Sequence, residues 1–269
     1  MGWAEFLLDT DSRANRLDRY RVSCRSDKSE FYVQLCCVQE IASQVEKALG
    51  HLHCRPAPGG GAQWTHRFQF DGPYRRSLRD FLDLLKRVLT LTPVSELDSA
   101  LVLDFYKVPD PDLAPTDWSN TDVGERVNRA KYWATDPVEQ RKAGKWLADA
   151  LAEVVEQHPG YQSADAIVAV PGTQTEFGDK LARAVAHRVG KPLVRAVASS
   201  KDRRPAKEGH ATAGLEQFIV PSLDAGTEVI IVDDVYRSGK TMRGVAVAAR
   251  AAGAGSVLGL AAARTMRKC

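Results

Sequence analysis

Four short apolar segments in the second half of the chain constrain the fold more than any other feature of the sequence. Stretches with helical periodicity lie between them, at Asp179 to Val189 and at Lys240 to Ala252. Apolar strands that alternate with helices predict a parallel sheet with helices on both faces. In such sheets ligands bind beyond the carboxyl ends of the strands. The four segments are Ala166 to Val170, Leu193 to Ala198, Val229 to Val232 and Val257 to Ala263.

The chain before the proline-rich stretch Pro109 to Pro115 has a mixed character. In this part, Ser77 is followed by an apolar helical stripe and predicts a helix that Ser77 caps. After the proline-rich stretch, Asp136-Pro137 predicts the start of another helix. We therefore divide the chain into an N-terminal α+β region of unknown role, residues 1–115, and an α/β domain, residues 116–269. The predicted N-terminal strands are Phe31 to Val38, Gln63 to Phe70 and Ala100 to Tyr106.

Composition and charge narrow the function classes. The formal net charge is only +3 and no long basic run is present, so a nucleic-acid partner is not expected. No stretch approaches the roughly 18 apolar residues that cross a bilayer. The start, MGWAEFLLDTD, lacks the basic beginning of a secretory signal. We expect a cytoplasmic protein that does not bind membranes.

The five cysteines show no disulfide rhythm. Cys24, Cys36, Cys37 and Cys54 include no C-x-x-C pair, although His51 and His53 lie close to Cys54 in the sequence. Zinc sites usually have tighter pairing. Free or buried thiols without structural zinc are therefore expected.

The segment Val229 to Thr241 carries most of the functional argument. An apolar strand leads into Asp233 and Asp234, then into a loop with Ser238 and Gly239, and then into a helix. Adjacent acids at a strand end offer acceptors for the two hydroxyls of a ribose. Backbone N–H groups at a helix N-terminus bind phosphate, and Gly239 would let the backbone approach it closely.

Two other interpretations of this segment are weaker. Two acids after a strand could simply cap a turn, which the length of the whole pattern makes the weaker interpretation. Ser238-Gly239-Lys240-Thr241 also resembles the end of a P-loop, but a P-loop needs glycine five positions before Gly239, where this chain has Asp234. A P-loop nucleotidase is therefore not expected.

The segment resembles the binding signature for 5-phosphoribosyl-1-pyrophosphate (PRPP) in type I phosphoribosyltransferases. The continuation from Gly253 to Thr265 is most similar to the ComF-like branch of that family. The resemblance covers about Thr121 to the C-terminus. It implies a parallel sheet with flanking helices and a variable hood that binds the acceptor.

The resemblance also implies roles for individual residues. Asp233 and Asp234 match the catalytic acids that hold the ribose, and Lys201 and Arg203 fall in the basic loop that closes over the family's active site. That loop could instead be solvated and without chemistry, and the turn after Val170 could be an ordinary one. The residues implied for the 5′-phosphate are Tyr236, Arg237, Ser238, Gly239, Lys240 and Thr241. Those implied for pyrophosphate are Pro171, Gly172, Thr173, Gln174, Thr175, Arg204 and Lys207.

The implied reaction is Mg²⁺-dependent displacement of pyrophosphate from PRPP by a nitrogen nucleophile, an activity of nucleotide metabolism. The expected partners are PRPP and a small-molecule acceptor, with a homodimer as one option, and Mg²⁺ is expected to bind through the substrate rather than through protein ligands alone. The alternatives are a non-catalytic PRPP or nucleotide sensor and a ComF-like role in DNA uptake or processing.

Two further observations concern the identity of the acceptor and the part of the chain that binds it. Family members that act on 6-oxopurines carry aspartate where this chain has Arg237, so a hypoxanthine-guanine type of substrate is disfavoured. The hood must come from N-terminal residues because little chain follows the last strand. Trp118, Tyr132 and Trp133 could stack on a base there, or they could belong to the core.

Overall fold

The computed structural model describes residues 14–26, 29–50, 55–56, 63–93, 95–110, 112–133, 136–172, 176–199 and 218–266. These residues form thirteen strands in three sheets, seven α-helices and one π-helical turn, Arg129–Trp133. The strands are β1 Ala14–Asn15, β2 Arg19–Cys24, β3 Glu30–Cys36, β4 Arg55–Pro56, β5 His66–Asp71, β6 Leu89–Leu91, β7 Ser99–Phe105, β8 Ala166–Ala169, β9 Leu193–Arg195, β10 Val197–Ala198, β11 Phe218–Ile219, β12 Glu228–Tyr236 and β13 Ser256–Arg264. The helices are α1 Gln39–Leu49, α2 Arg76–Arg87, α3 Asp122–Asn128, α4 Pro137–Gln157, α5 Pro159–Gln162, α6 Phe177–Val189 and α7 Lys240–Ala251.

The largest sheet has seven strands in the order β1-β6-β7-β13-β12-β8-β9. Strands β7, β13, β12, β8 and β9 are parallel. At one edge, β6 pairs antiparallel with β7, and β1 pairs antiparallel with β6. Helices α3, α4 and α6 pack on one face, and α7 packs on the other. Because both faces are covered, the apolar runs in β12 and β13 are buried. The expected α/β fold, a parallel sheet flanked by helices, is confirmed.

The four apolar runs form strands close to their predicted bounds. The main difference is β12, which continues beyond Val232 to Tyr236 because its pairing with β13 extends past the apolar run. The segment Leu193 to Ala198 is interrupted at Ala196 and splits between β9 and β10. Asp136 caps α4 as predicted, since its carboxylate accepts a hydrogen bond from the Val138 backbone N–H.

The N-terminal residues build an antiparallel sheet, β2-β3-β5-β4, with α1 and α2 packed on it. In β3, Phe31, Val33 and Leu35 alternate with less buried residues and face these helices. The predicted cap at Ser77 is wrong. Helix α2 begins at Arg76, and the residue before it, Arg75, makes no side-chain capping bond.

The central sheet takes strands from both sides of the boundary predicted at residues 115/116. Strands β1, β6 and β7 precede that boundary, and β7 pairs with β13 from Ser99 to Phe105. The division into regions remains a prediction, and it does not coincide with an edge of the sheet. In the described part of the chain, no helix combines the length and apolarity that a membrane span requires.

Candidate functional site

The two acids lie near the carboxyl end of β12, in the middle of the central sheet. Val232 is paired with Ala169 on β8, and Asp233 is paired with Ala261 on β13. Since these neighbours run parallel to β12, their carboxyl ends meet at the same edge of the sheet. This is the edge at which ligands bind in sheets of this kind.

Burial and mutual repulsion dominate the electrostatics of the acid pair. Asp234 is 6% exposed, and its backbone N–H donates to Oδ1 of Asp233 at 2.8 Å. Burial, followed by the charge of Asp234, raises the pKa of the Asp233 carboxyl well above its usual range. The same site therefore holds two adjacent carboxylates in surroundings that disfavour two negative charges.

Lys131 supplies a positive charge to this pair. Its Nζ lies 2.5 Å from Oδ2 of Asp234, and the lysine side chain is only 16% exposed. Lys131 comes from the π-helical turn that continues α3. Sequence reasoning missed this residue, although the aromatic neighbours Tyr132 and Trp133 had drawn attention to the segment.

The loop after the acids leads into the N-terminus of α7, as the phosphate-binding interpretation requires. Gly239 occupies the N-cap with φ of 72°, in the left-handed region that favours glycine. Arg237, Ser238 and Lys240 are exposed, and Thr241 is partly buried.

Tyr236, which had been assigned to the same phosphate site, has a different environment. Its ring is 7% exposed and packs in the core with Met242 and Val245 of α7. Burial raises the pKa of its hydroxyl. Its side chain therefore supports the strand end, which leaves only its main chain to line the loop.

The turn assigned to pyrophosphate is described in part. Pro171 and Gly172 follow β8, whereas Thr173, Gln174 and Thr175 lie outside the described residues. The helix after this turn, α6, reaches the acid pair, because a Cβ atom built on Gly178 would lie 3.7 Å from Oδ1 of Asp233. The N-terminus of α6 and the acids thus share one edge of the sheet.

The basic residues Lys201, Arg203, Arg204 and Lys207 also lie outside the described residues. The strands that flank them form a small antiparallel pair, in which Val197 lies opposite Ile219. Both of these side chains are about half exposed. The two ends of the basic segment are therefore held together next to β9.

The aromatic side chains proposed to stack on a base are only partly open to description. Trp118 is 4% exposed, and its indole N–H donates to the carbonyls of Asp110 and Leu113. Trp118 is therefore a core residue and does not present a ring face to a base. The backbones of Tyr132 and Trp133 lie in the π-helical turn, and their side chains are outside the description.

The cysteines give no sign of a metal centre in the ranges that the structure covers. No group of three or more His, Cys, Asp or Glu side chains there could hold a metal ion. Cys24, Cys36 and Cys37 are free thiols, and burial raises the pKa of Cys37 to about 12. Cys54, His51 and His53 lie outside those ranges.

Part of the chain matches the model of a known protein family. Residues 136–263 match the model of the phosphoribosyl transferase domain, so the match covers somewhat less than half of the chain. The matched segment contains both acids, α6 and α7, whereas Lys131 precedes it. A search of curated proteins found no match.

Solved structures also resemble the chain. Adenine phosphoribosyltransferase from Leishmania tarentolae is 15% identical over 61% of this chain and 91% of its own, with a TM-score of 0.38. The Trypanosoma brucei enzyme in complex with AMP, pyrophosphate and ribose-5-phosphate is 14% identical over 65% and 86%, with a TM-score of 0.37. Orotate phosphoribosyltransferase from Aeropyrum pernix is 24% identical over 46% and 59%, with a TM-score of 0.30.

The family model matches the part of the chain that carries the acid pair and the loop before α7. Residues 136–263 of this chain are therefore similar to a phosphoribosyl transferase domain.

Proposed function

We propose that the chain is a phosphoribosyltransferase that displaces pyrophosphate from PRPP with a nitrogen nucleophile. The main support is one juxtaposition at the carboxyl edge of the sheet. Asp233 and Asp234 lie near the end of β12, and the loop that follows them enters α7 through the left-handed Gly239. A ribose with its 5′-phosphate needs both features, hydroxyl acceptors and a helix N-terminus, close together.

The proposed reaction uses these residues as follows. The acids accept hydrogen bonds from the ribose hydroxyls, and N–H groups at the start of α7 bind the 5′-phosphate. The lone pair of the acceptor nitrogen forms a bond to C1 as the C1–O bond breaks. Pyrophosphate leaves with that electron pair, and the nitrogen releases a proton. Negative charge near the ribose stabilises the positive charge that develops on the ring.

In the proposed reaction, Mg²⁺ enters the site bound to PRPP. PRPP oxygens and water would supply most of its coordination, because Mg²⁺ keeps several waters and commonly binds through substrate phosphates. When bound, it would offset the charge of the departing pyrophosphate. The basic segment with Lys201, Arg203, Arg204 and Lys207 would act on the same leaving group, as the family resemblance implies.

The first experiment is calorimetric titration with PRPP and Mg²⁺, followed by measurement of pyrophosphate release with a panel of bases and amines. Binding with release in the presence of one acceptor would support the enzyme and identify its substrate. Binding without release would favour the non-catalytic sensor. Absence of PRPP binding would overturn the proposal.

The ribose assignment is tested by replacing both acids. We expect D233N/D234N to lose PRPP affinity by at least about 100-fold, because two carboxylate hydrogen bonds to the ribose are weakened. Asp224→Asn, an exposed acid in the turn before β12, serves as a control and should bind normally. Retained affinity in a double variant with a wild-type circular dichroism spectrum would exclude the acids from the site.

The ComF-like refinement of the proposal rests on the segment from Gly253 to Thr265, most of which lies in β13. It suggests a link to DNA uptake or processing. A salt-dependent affinity for single-stranded DNA, measured on the same preparation, would support this refinement. An affinity for PRPP alone would leave the coarser proposal standing without it.

A further inference from the structure

We propose that Lys131 is a positioning residue of the PRPP site, the resident cation that neutralises and orients the acid pair before substrate arrives. This inference rests on the proposed function and extends it to a residue outside the family match. Lys131 precedes the matched segment, which begins at residue 136. Its ammonium nevertheless contacts Asp234 at 2.5 Å.

The location of this ion pair supports a role beyond stability. Both side chains are largely buried, at 16% and 9% exposure. Burying an ion pair costs desolvation energy that its attraction often only just offsets, so such pairs are weak contributors to folding. A buried pair at the edge where parallel sheets bind ligands is therefore better explained by the requirements of the site.

The path of the chain explains how Lys131 reaches this edge. Thr121 caps α3 through Gly124 N–H, and its hydroxyl also donates to the carbonyl of Phe105 at the end of β7. Gly124 packs directly on the carbonyl of Tyr106. These contacts hold the start of α3 against the carboxyl end of β7. The π-helical turn that follows α3 places Lys131 next to Asp234 on β12.

The π-helical turn itself is a second indication. Turns of this type are rare and frequently occur at functional sites. Here the turn is tied to the next helix, since the side-chain amide of Gln140 donates to the carbonyl of Ala130 at 3.0 Å. The backbone beside Lys131 is therefore fixed rather than loosely connected.

The chemical need for this cation follows from the substrate. PRPP is a polyanion, and two adjacent carboxylates would repel it. Lys131 cancels one of these charges while Asp234 remains a hydrogen-bond acceptor. Among the described neighbours of Asp233, Val170 after β8, Ala261 on β13 and Gly178 on α6 carry no charge. In the part of the chain that the structure describes, the charges of Asp234 and Lys131 act on the Asp233 carboxyl.

Three variants of the full chain test the inference. K131M removes the charge and keeps the length of the side chain, K131R keeps the charge, and K145M removes an exposed lysine that pairs with Asp149 on α4. Affinities for PRPP with Mg²⁺ and for ribose 5-phosphate are measured by calorimetry between pH 5.5 and pH 9. The ionisable groups of the two ligands gain and lose protons in the same way with every variant. Differences between variants in the pH dependence of binding therefore reflect ionisable groups of the protein.

We expect K131M to bind both ligands at least about 10-fold more weakly at pH 7. Lys131 lowers the pKa of the Asp233 carboxyl, so without the cation this carboxyl holds its proton to higher pH and the pH midpoint of ribose 5-phosphate binding should rise by about one unit or more. K131R and K145M should keep the wild-type midpoint. A uniform loss of affinity without a shift of the midpoint would indicate a merely structural role, and unchanged or tighter binding would also overturn the inference.

The inference can fail separately from the proposed function. If the wild type binds neither ligand, the proposed function falls, and ¹³C NMR titration of the aspartate carboxyl groups then tests the ion pair directly. An upward-shifted titration of the pair in K131M would support Lys131 as its counter-ion. An unchanged titration would overturn the inference.

Discussion

At the scale of single residues, the buried ionisable groups include an acid pair beside an opposite charge and a histidine that stays neutral. The acid pair at the end of β12 receives the ammonium of Lys131, so charge is retained where the proposed chemistry needs it. His158, at the other end of the sheet, is kept neutral instead. It is 3% exposed and packs edge-on against Phe81 and Tyr161, and burial lowers its pKa to about 3.

The neutral histidine predicts a pH-dependent stability. In the unfolded chain His158 takes up a proton below its ordinary pKa of about 6.5, whereas the folded protein does not until about pH 3. Stability from this residue is therefore complete above about pH 6.5 and is lost as the pH falls towards 3. Between pH 7 and pH 5 the loss should be about 2 kcal/mol.

Urea unfolding of the wild type and of His158→Gln at pH 7 and pH 5 measures this effect. The variant should be less stable at pH 7, because it loses the ring packing, but its stability should fall less between the two values. His187, at the solvent-facing end of α6, gives the control His187→Gln, which should keep the wild-type dependence. An equal fall in His158→Gln would show that His158 is not the group responsible.

At the scale of helices and strands, periodicity in the sequence predicts elements better than it predicts their ends. The strand expected at Val257 to Ala263 differs from β13 by one residue at each end. No element was predicted over the π-helical turn, because its five residues are too few to show a periodicity. Lys131 was missed because its contact with Asp234 joins residues that are distant in sequence.

The packing of α3 on β7 predicts a strong effect of a small substitution. A Cβ atom on Gly124 would lie 1.9 Å from the carbonyl oxygen of Tyr106, so the backbone would have to move. Gly124→Ala should lower the free energy of unfolding by about 3 kcal/mol. It should also weaken PRPP binding, because the displaced helix carries Lys131.

Gly144→Ala is the matched control for this prediction. Gly144 also lies within a helix, α4, and its added Cβ would meet the Phe177 ring at an ordinary 3.7 Å. Alanine should therefore stabilise the protein by up to about 1 kcal/mol through helix propensity. Urea unfolding of both variants decides the matter, and equal stability of the two would refute the tight contact at Tyr106.

At the scale of the whole molecule, the central sheet connects the two regions that the sequence suggested. The proline-rich stretch Pro109 to Pro115 suggested a boundary, because local composition changes there. Strand pairing is not local, and β7 lies beside β13 although the two are far apart in the chain. The sheet of the segment that matches the family model is therefore completed by a strand that the match does not include.

This arrangement predicts how a shortened chain would behave. A chain that begins at residue 116 lacks β7, so β13 becomes an edge strand with unpaired N–H and C=O groups. It also loses Leu101 and Val102, which are buried on opposite faces of the sheet, and the carbonyl of Phe105 that accepts a hydrogen bond from the Thr121 hydroxyl.

We expect the chain from residue 116 to aggregate or to melt without cooperativity. A chain that begins at residue 89 retains β6 and β7 and should fold more cooperatively. Thermal melting followed by circular dichroism, with size-exclusion chromatography, compares the two. A cooperative, wild-type-like melting transition of the chain from residue 116 would show that the boundary at 115/116 does separate independent units.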